Sequence, residues 1–419
     1  MTNQKTNRTT VGPKDADIIG SDNTAIQKAI DQLAQSGGGT VRVLPGKYVC
    51  SDAIRLRSHI RLVGEMESSL LVHGPIPASL LACDADIGEK QITPVCADGF
   101  KPGMGVVLRD RSKPNTLATM PLTIDRIENG TLYVNDWIIH DWCAENGGCV
   151  VAYTPLIHAY EVEDVVVDGF TLDGSVEHPP AELDDLCGGN LYFRRTQGAT
   201  VRNVVSRHAY GDGIRFGQCQ DVVVDACEAH DNLNYGIHPG SQTRPVHVSN
   251  AHIHHNGSDG LYICWGVRNS VFEHCEIHHN GHRLHRTGLC IGHKDTDNLI
   301  ANNHIHENHK HGIHIRKKTE ANGAHRNLFR DNLIENNGAP MSEVPEWIKK
   351  LEPKDTLTGC GIYVNGITHD LAFENNAIRE TREGEARLQR RGIYIAPGVS
   401  GTQLKNNTIE NHPDGDLVE

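Results

Sequence analysis

Hydrophobic residues in the second half of the chain fall into a short alternating pattern that begins on glycine. The copies read Gly213-Ile214-Arg215-Phe216, Gly236-Ile237-His238-Pro239, Gly260-Leu261-Tyr262-Ile263, Gly288-Leu289-Cys290-Ile291, Gly312-Ile313-His314-Ile315, Gly361-Ile362-Tyr363-Val364 and Gly392-Ile393-Tyr394-Ile395, with a looser copy at 189–193. An apolar, variable, apolar order is the period of a strand that buries one face. Each copy is followed by a turn and an asparagine-studded second strand. Copies start 23, 24, 28, 24, 49 and 31 residues apart, a repeat that marks a solenoid whose units bury their apolar faces against one another. The predicted fold is all-β, a parallel β-helix.

Upstream, apolar Ile26, Ile30 and Leu33 at helical spacing predict a helix over 22–35, with capping candidates at 21–23 and three glycines ending it. Short strands follow at 40–44 and 60–64. This opening resembles that of pectate-lyase-like right-handed β-helix proteins, where a helix covers the open end of the solenoid and protects its sheet edges. From about 67 to 155 the period is lost, and short strands between glycine turns predict a small inserted β subdomain. The organisation is therefore a cap and first coil over 1–66, the insertion over 67–155, and the helix proper over 156–419.

Alternation also says what points outward. The residue between the two aliphatics stacks as Tyr192, Arg215, His238, Tyr262, Cys290, His314, Tyr363 and Tyr394. The next outward column holds Arg194, Gly217, Gly240, Cys264, Gly292, Arg316 and Asn365, and the turn beyond it Gln218, Ser241, Trp265, His293 and Lys317. Extra residues at 175–187, 282–287 and 339–359 precede a repeat glycine and crowd one edge of the sheet. Longer turns at 241–245, 293–297 and 316–325 rise from the other edge, so two walls and a floor form a groove suited to an extended ligand.

The net charge of −13 excludes nucleic acid as the default partner. Against that background Arg194, Arg215, His238, His293, His314, Arg316 and Lys317 are a local cationic choice, and with Trp265 and the tyrosines they suit an anionic oligo- or polysaccharide. Two reactions fit. In β-elimination from a uronate, Arg215 or Arg316 neutralises the carboxylate, His238 or His293 takes the C5 proton, and Tyr262 or Tyr235 assists the leaving oxygen. Hydrolysis instead needs two carboxylates, for which Asp212, Asp295, Asp297 and wall residues Glu182, Asp184 and Asp185 are the candidates. Elimination is the leading reading, and a non-catalytic glycan-binding spike is the reading from another class.

One coil carries a closer resemblance. Asn234-Tyr235-Gly236-Ile237-His238-Pro239-Gly240 is similar to the catalytic coil of the mannuronan C5-epimerases, whose motif reads Tyr-Gly-Phe-Asp-Pro-His. The resemblance implies an acid/base role for Tyr235. The motif aspartate is replaced by His238 and the motif histidine by Gly240.

The other features have structural readings. Aligned second strands place Cys227, Ala251, Cys275, Asn303, Asn332, Asn376 and Asn407 in one column. Cys227 and Cys275 would lie two coils, roughly 10 Å, apart, too far for a disulfide. The asparagines are expected to satisfy one another between coils. Histidines 252, 254, 255, 278, 279, 304, 306 and 309 follow the register and decorate a face; stacked imidazoles can chelate, but the repeats give no ligand geometry, so no metal and no cofactor are expected. No apolar run spans a membrane and the first residues lack a signal-peptide core, so a complete chain would be cytoplasmic. A homo-oligomer is compatible with this reading.

Overall fold

The computed structural model describes residues 7–110, 121–153, 155–174, 188–351 and 358–419. The repeats form a parallel β-helix, with three strands per coil where the sequence suggested two. In one coil these are Ile237–Gly240, Val246–Ser249 and His252–His254. The missed boundary is a one-residue corner: Ala226, Asn250, His274, Asn302, Asp331 and Asn375 turn the chain with φ between 50° and 56°. Asn, Asp and His tolerate that left-handed conformation, so the bend needs no glycine or proline to announce it.

The glycine repeats stack as one eleven-stranded sheet running from Ile54–Arg55 to Leu417–Val418. Its register is the one the alternation requires. Tyr192 pairs with Arg215 and Arg215 with His238, and further along Tyr262, Cys290, His314, Tyr363 and Tyr394 are successive partners. Their aliphatic neighbours fill a single continuous core, fully buried at Ile214, Ile237, Leu261, Leu289, Ile313, Ile362 and Ile393. The helix Asn23–Gln35 caps this core with Ala25, Ile26, Ala29, Ile30 and Leu33, and the Asp22 carboxylate accepts the Ala25 N–H at its start.

Asparagine ladders tie the coils together. The predicted column is present: Nδ2 of Asn303 donates to Oδ1 of Asn332 at 3.0 Å, Asn332 to Asn376 at 2.9 Å, and Asn376 to Asn407 at 2.9 Å. A second, longer ladder runs Asn232, Asn256, Asn280, Asn308, Asn337 to Gln389 with Nδ2 to oxygen distances of 2.8–3.0 Å. It explains the repeat glycine. A Cβ at residue 236 would lie 2.7 Å from Asn256 Nδ2, at 260 2.6 Å from Asn280 Nδ2, and at 288 2.5 Å from Asn308 Nδ2. None of these glycines adopts a positive φ, so close approach to the ladder, not backbone freedom, is what requires them.

Within the region that broke the period, Ser69–His73 still pairs in parallel with Gly46–Cys50 as part of the solenoid, and residues 78–152 form a six-stranded antiparallel sheet with its own core around Leu81, Ile92, Val106, Ile124, Leu132 and Val150. Its other face, Val107, Cys149, Val151 and Tyr153, packs on Tyr192 and Tyr210. The insertion therefore packs against the Tyr192 rung of the outward stripe. The stretch 175–187, with Glu182, Asp184 and Asp185, lies outside the described residues.

Along the glycine edge, the extra residues at 282–287 fold back, with Arg283 and Leu284 N–H donating to Gly257 O. They bury an imidazole cluster: His285 Nδ1 lies 2.8 Å from His309 Nδ1, and His311 Nδ1 accepts the Cys360 N–H at 3.1 Å. Burial, reinforced by neighbouring His309 and Lys310, holds His285 down to about 3, and burial with nearby His314 and Lys310 lowers His311 far below the usual imidazole range.

Two expectations follow from this packing. Asn280 is fully buried and serves Asn256, Asn308, Ile253 O and His278 O. Asn280→Ala leaves several of these groups unpaired and should destabilise by about 3 kcal/mol, read as a lower denaturant midpoint at unchanged slope. The buried histidines set a pH dependence: below about 6.5 the unfolded chain takes up protons that the folded chain refuses. Stability should therefore fall as pH drops from 6.5 toward 4, by about 1.4 kcal/mol per pH unit for each imidazole kept neutral. A Tm that stays flat between pH 7.5 and 5 would contradict this, and His285→Gln should make the slope shallower.

Candidate functional site

The outward stripe brings its reactive groups together over three adjacent rungs. His238 projects from Ile237–Gly240, and its Nδ1 lies 2.7 Å from Oδ2 of Asp212, at the start of Asp212–Gly217 one rung earlier. Asp212 is wholly buried; it also accepts the Asn234 side-chain N–H at 2.9 Å and lies 3.4 Å from the Arg215 guanidinium. This carboxylate fixes the proton on Nδ1 and leaves Nε2 as a lone-pair acceptor. Nε2 faces Gly240, where a Cβ would stand 2.8 Å away. Burial lowers the pKa of His238 against the upward pull of Asp212, so the ring is neutral and basic near neutral pH.

Two tyrosines enclose it. Tyr235 and Tyr262 stack with ring centroids 3.9 Å apart, and each meets His238 edge-on at 5.0 Å. Burial raises both phenols well above their ordinary value, so both are protonated. Arg316 donates to the Tyr262 hydroxyl and to Ile263 O at 3.0 Å and Gly292 O at 3.2 Å. Because Tyr262 accepts from the guanidinium, its own O–H remains a donor. Gly292 permits this fold-back, since a Cβ there would lie 3.0 Å from Arg316 Nε.

Beside this cluster, Tyr192, Arg194, Arg215, Gln218, Gln242 and Trp265 line a cleft of about 300 Å3. The Arg215 guanidinium lies over the Tyr192 ring at 5.3 Å, and Arg194 donates to Gln218 at 3.4 Å. Trp265 is 38% exposed and meets His293 edge-on at 5.6 Å, at the rim. His293 is lowered by burial and by Lys318, Arg316 and Lys294. His314 lies two rungs beyond Tyr262, stacked on Tyr363 at 5.0 Å, and its Nε2 is buried without a hydrogen-bond partner among the described residues. Lys317 is exposed on the turn above.

Of the carboxylates read as hydrolytic candidates, Asp212 lies under His238, whereas Asp295 and Asp297 sit elsewhere. Asp295 is fully buried beneath the turns: Oδ1 accepts the N–H groups of Gly266 and Val267 at 2.8 and 2.9 Å, and Oδ2 that of Gly292 at 3.0 Å. Burial lifts its carboxyl to about 7 despite Arg316 and these N–H groups. Asp297 is exposed and forms a two-point pair with Arg326 at 2.7 and 2.9 Å. Asp295 holds the loop that carries His293, and Asp297 faces solvent; neither presents a free carboxylate to the groove. The group whose role the sequence reading missed is Asp212. Asp212-Gly213 resembles an ordinary turn, and nothing local shows that it meets an imidazole 26 residues later.

The fold has counterparts among solved structures. A polygalacturonase from Erwinia carotovora ssp. carotovora superposes with a TM-score of 0.59 at 12% identity, covering 100% of this chain and 96% of its own. The A-module of the Azotobacter vinelandii mannuronan C-5 epimerase AlgE4 gives 0.54 at 15% identity, covering 98% and 100%. Geobacillus virus E2 ORF18 gives 0.54 at 13%, covering 95% of this chain and 60% of its own. No curated protein sequence matches the chain. The family model for the right handed beta helix region matches residues 157–322 and 285–418, and with coils, ladders and cap in place, the chain belongs to that right-handed β-helix family.

Proposed function

We propose that this protein is a carbohydrate-active enzyme that cleaves a uronate-containing glycan by β-elimination in the groove on the glycine-repeat sheet. The observation that carries the reading is the buried Asp212–His238 pair set against the Arg316-supported Tyr262 hydroxyl. A base and an acid thus stand side by side on adjacent rungs, which is what elimination asks of a site. Arg215 and Arg194 face the cleft as partners for a uronate carboxylate, and neutralising it acidifies the C5 proton. His238 Nε2 takes that proton, the C5–H electrons form the C4–C5 double bond, and the C4–O bond breaks as Tyr262 protonates the departing oxygen. Arg215 lines the cleft and Arg316 does not, so Arg215 is the better placed neutralising cation of the two read from sequence. Trp265 supplies an aromatic face for a sugar ring. A mannuronan C-5 epimerase and a polygalacturonase share the fold, which supports a polysaccharide reaction on such a scaffold without choosing this one.

The test is a panel of uronate-containing polysaccharides and oligosaccharides. Elimination predicts new ultraviolet absorbance from an unsaturated product. Reducing ends without absorbance would replace the proposal by hydrolysis, C5 inversion without cleavage by epimerisation, and retention without product by a binding spike. His238→Ala should lower kcat by about 10² to 10⁴ and Tyr262→Phe should also act on kcat, whereas Trp265→Ala should act mainly on KM. Because His238 works unprotonated and its pKa is depressed, the acidic limb of the kcat/KM profile should lie below pH 6.5. Asp212→Asn should impair the reaction and shift that limb, with KM little changed.

A further inference from the structure

A different face of the solenoid carries chemistry the groove does not use. The third strands of successive coils, Glu228–His230, His252–His254, Glu276–His278 and His304–His306, project a column of imidazoles and carboxylates. His230 stacks on His254 at 4.9 Å, His254 on His278 at 5.0 Å, and His278 on His306 at 4.8 Å, close to the rung spacing itself. The second row alternates glutamate with histidine. Carboxylate oxygens thereby lie among imidazole nitrogens on a surface open to solvent: Glu276 is 52% exposed and His252 42%.

We propose that this face binds divalent cations of the zinc class at two sites. One comprises Glu228, His252 and His254; the other comprises Glu276, His304 and His306. In each, one ligand atom per residue lies within 4.8 Å of the others. Tetrahedral coordination with bonds near 2.1 Å places ligand atoms about 3.4 Å apart. The separations present straddle that value: His254 Nε2 to Glu228 Oε1 is 2.9 Å, His252 Nδ1 to the same oxygen 3.6 Å, and His306 Nε2 to Glu276 Oε1 3.4 Å. The second nitrogen of two ligands is already oriented, as metal-bound imidazoles require: His254 Nδ1 by His255 at 2.8 Å and His306 Nδ1 by Glu307 at 3.0 Å. His304 would turn from Glu335, which it meets at 2.9 Å. Two imidazoles and one carboxylate favour Zn2+, Ni2+ or Cu2+ over Ca2+ or Mg2+.

The register fixes a stoichiometry. A third grouping, His252, Glu276 and His278, satisfies the same distance condition but takes one ligand from each of the other two. The outer sites share no residue, so two ions fit together about 10 Å apart, two rungs on, and the middle grouping competes with both. Each ion would clasp two neighbouring coils.

The probe is Co2+ titrated into the full-length, metal-stripped, tag-free chain and then displaced by Zn2+. Visible bands saturating at two equivalents, removed by Zn2+ and untouched by millimolar Ca2+, are expected. Absence of such bands, or displacement by Ca2+, would overturn the proposal without any variant being made. Equilibrium dialysis with Zn2+ should show one ion fewer in His254→Gln, one fewer in His306→Gln and two fewer in the double variant, each compared with a native circular dichroism spectrum. His247→Gln, on the adjacent strand, should lose none. Equal zinc content in the double variant and the unaltered chain would leave the face as a hydrogen-bonded imidazole ladder only. Because these residues lie outside the groove, the outcome is independent of whether the groove eliminates, hydrolyses or merely binds.

Discussion

The amide ladder between coils is the constraint on which the architecture depends. A β-helix has to turn its backbone between sheets in every coil, and the polar groups at those turns are buried where water cannot serve them. A side-chain amide whose oxygen accepts from the coil before and whose nitrogen donates to the coil after satisfies both neighbours at once. Asn256, Asn280, Asn308 and Asn337 do this at one corner, and Asn303, Asn332 and Asn376 at another. Because each amide fills the space beside the next strand, the residue there has no room for a Cβ. The conspicuous glycine of the repeat is therefore the imprint of a less conspicuous asparagine some 20 residues later.

Once the ladder fixes register, the surface chemistry is determined by stacking. Residues at one position of every coil become spatial neighbours at one rung spacing, so hydrogen-bonded pairs are assembled from residues far apart in sequence. Asp212 and His238 meet this way, as do Tyr262 and Arg316 across 54 residues. The groove additionally needs space, which Gly240 provides above His238 and Gly292 above the bend of Arg316. The insertion contributes by packing Tyr153 against the Tyr192 end of the stripe.

What could be read from sequence divides along the same line. Alternation is local, so the outward stripe, the aliphatic core and the cap helix over Asn23–Gln35 were legible. The third strand was hidden because its corner is a single left-handed residue such as Asn250 or His274, which carries no turn signature. Side-chain partnerships between coils were hidden more deeply. Asp295 looks like any groove-edge carboxylate until its oxygens are seen to hold three backbone N–H groups, and Asp212 looks like a turn residue until it is seen under His238. Periodicity locates a residue on the coil, but only the packing shows which of its neighbours its polar atoms serve.

The histidines show how far one residue type can diverge within a single register. At His238 the imidazole has one carboxylate behind it and aromatic rings at its sides, so one nitrogen is committed and the other is left beside the bare backbone of Gly240. On the third strands the rings stand in an open row, and their nitrogens meet other imidazoles or glutamates along the helix axis: His252 meets His278 at 2.8 Å, and His254 meets Glu228 at 2.9 Å. The first arrangement isolates a lone pair, and isolation is what proton transfer to a bound substrate requires. The second gathers lone pairs of several rings around shared points, and convergence is what a cation requires. Neither property belongs to histidine as such. Both arise because a rung spacing near 4.8 Å is long enough to stack two rings and short enough for polar atoms on neighbouring rungs to meet.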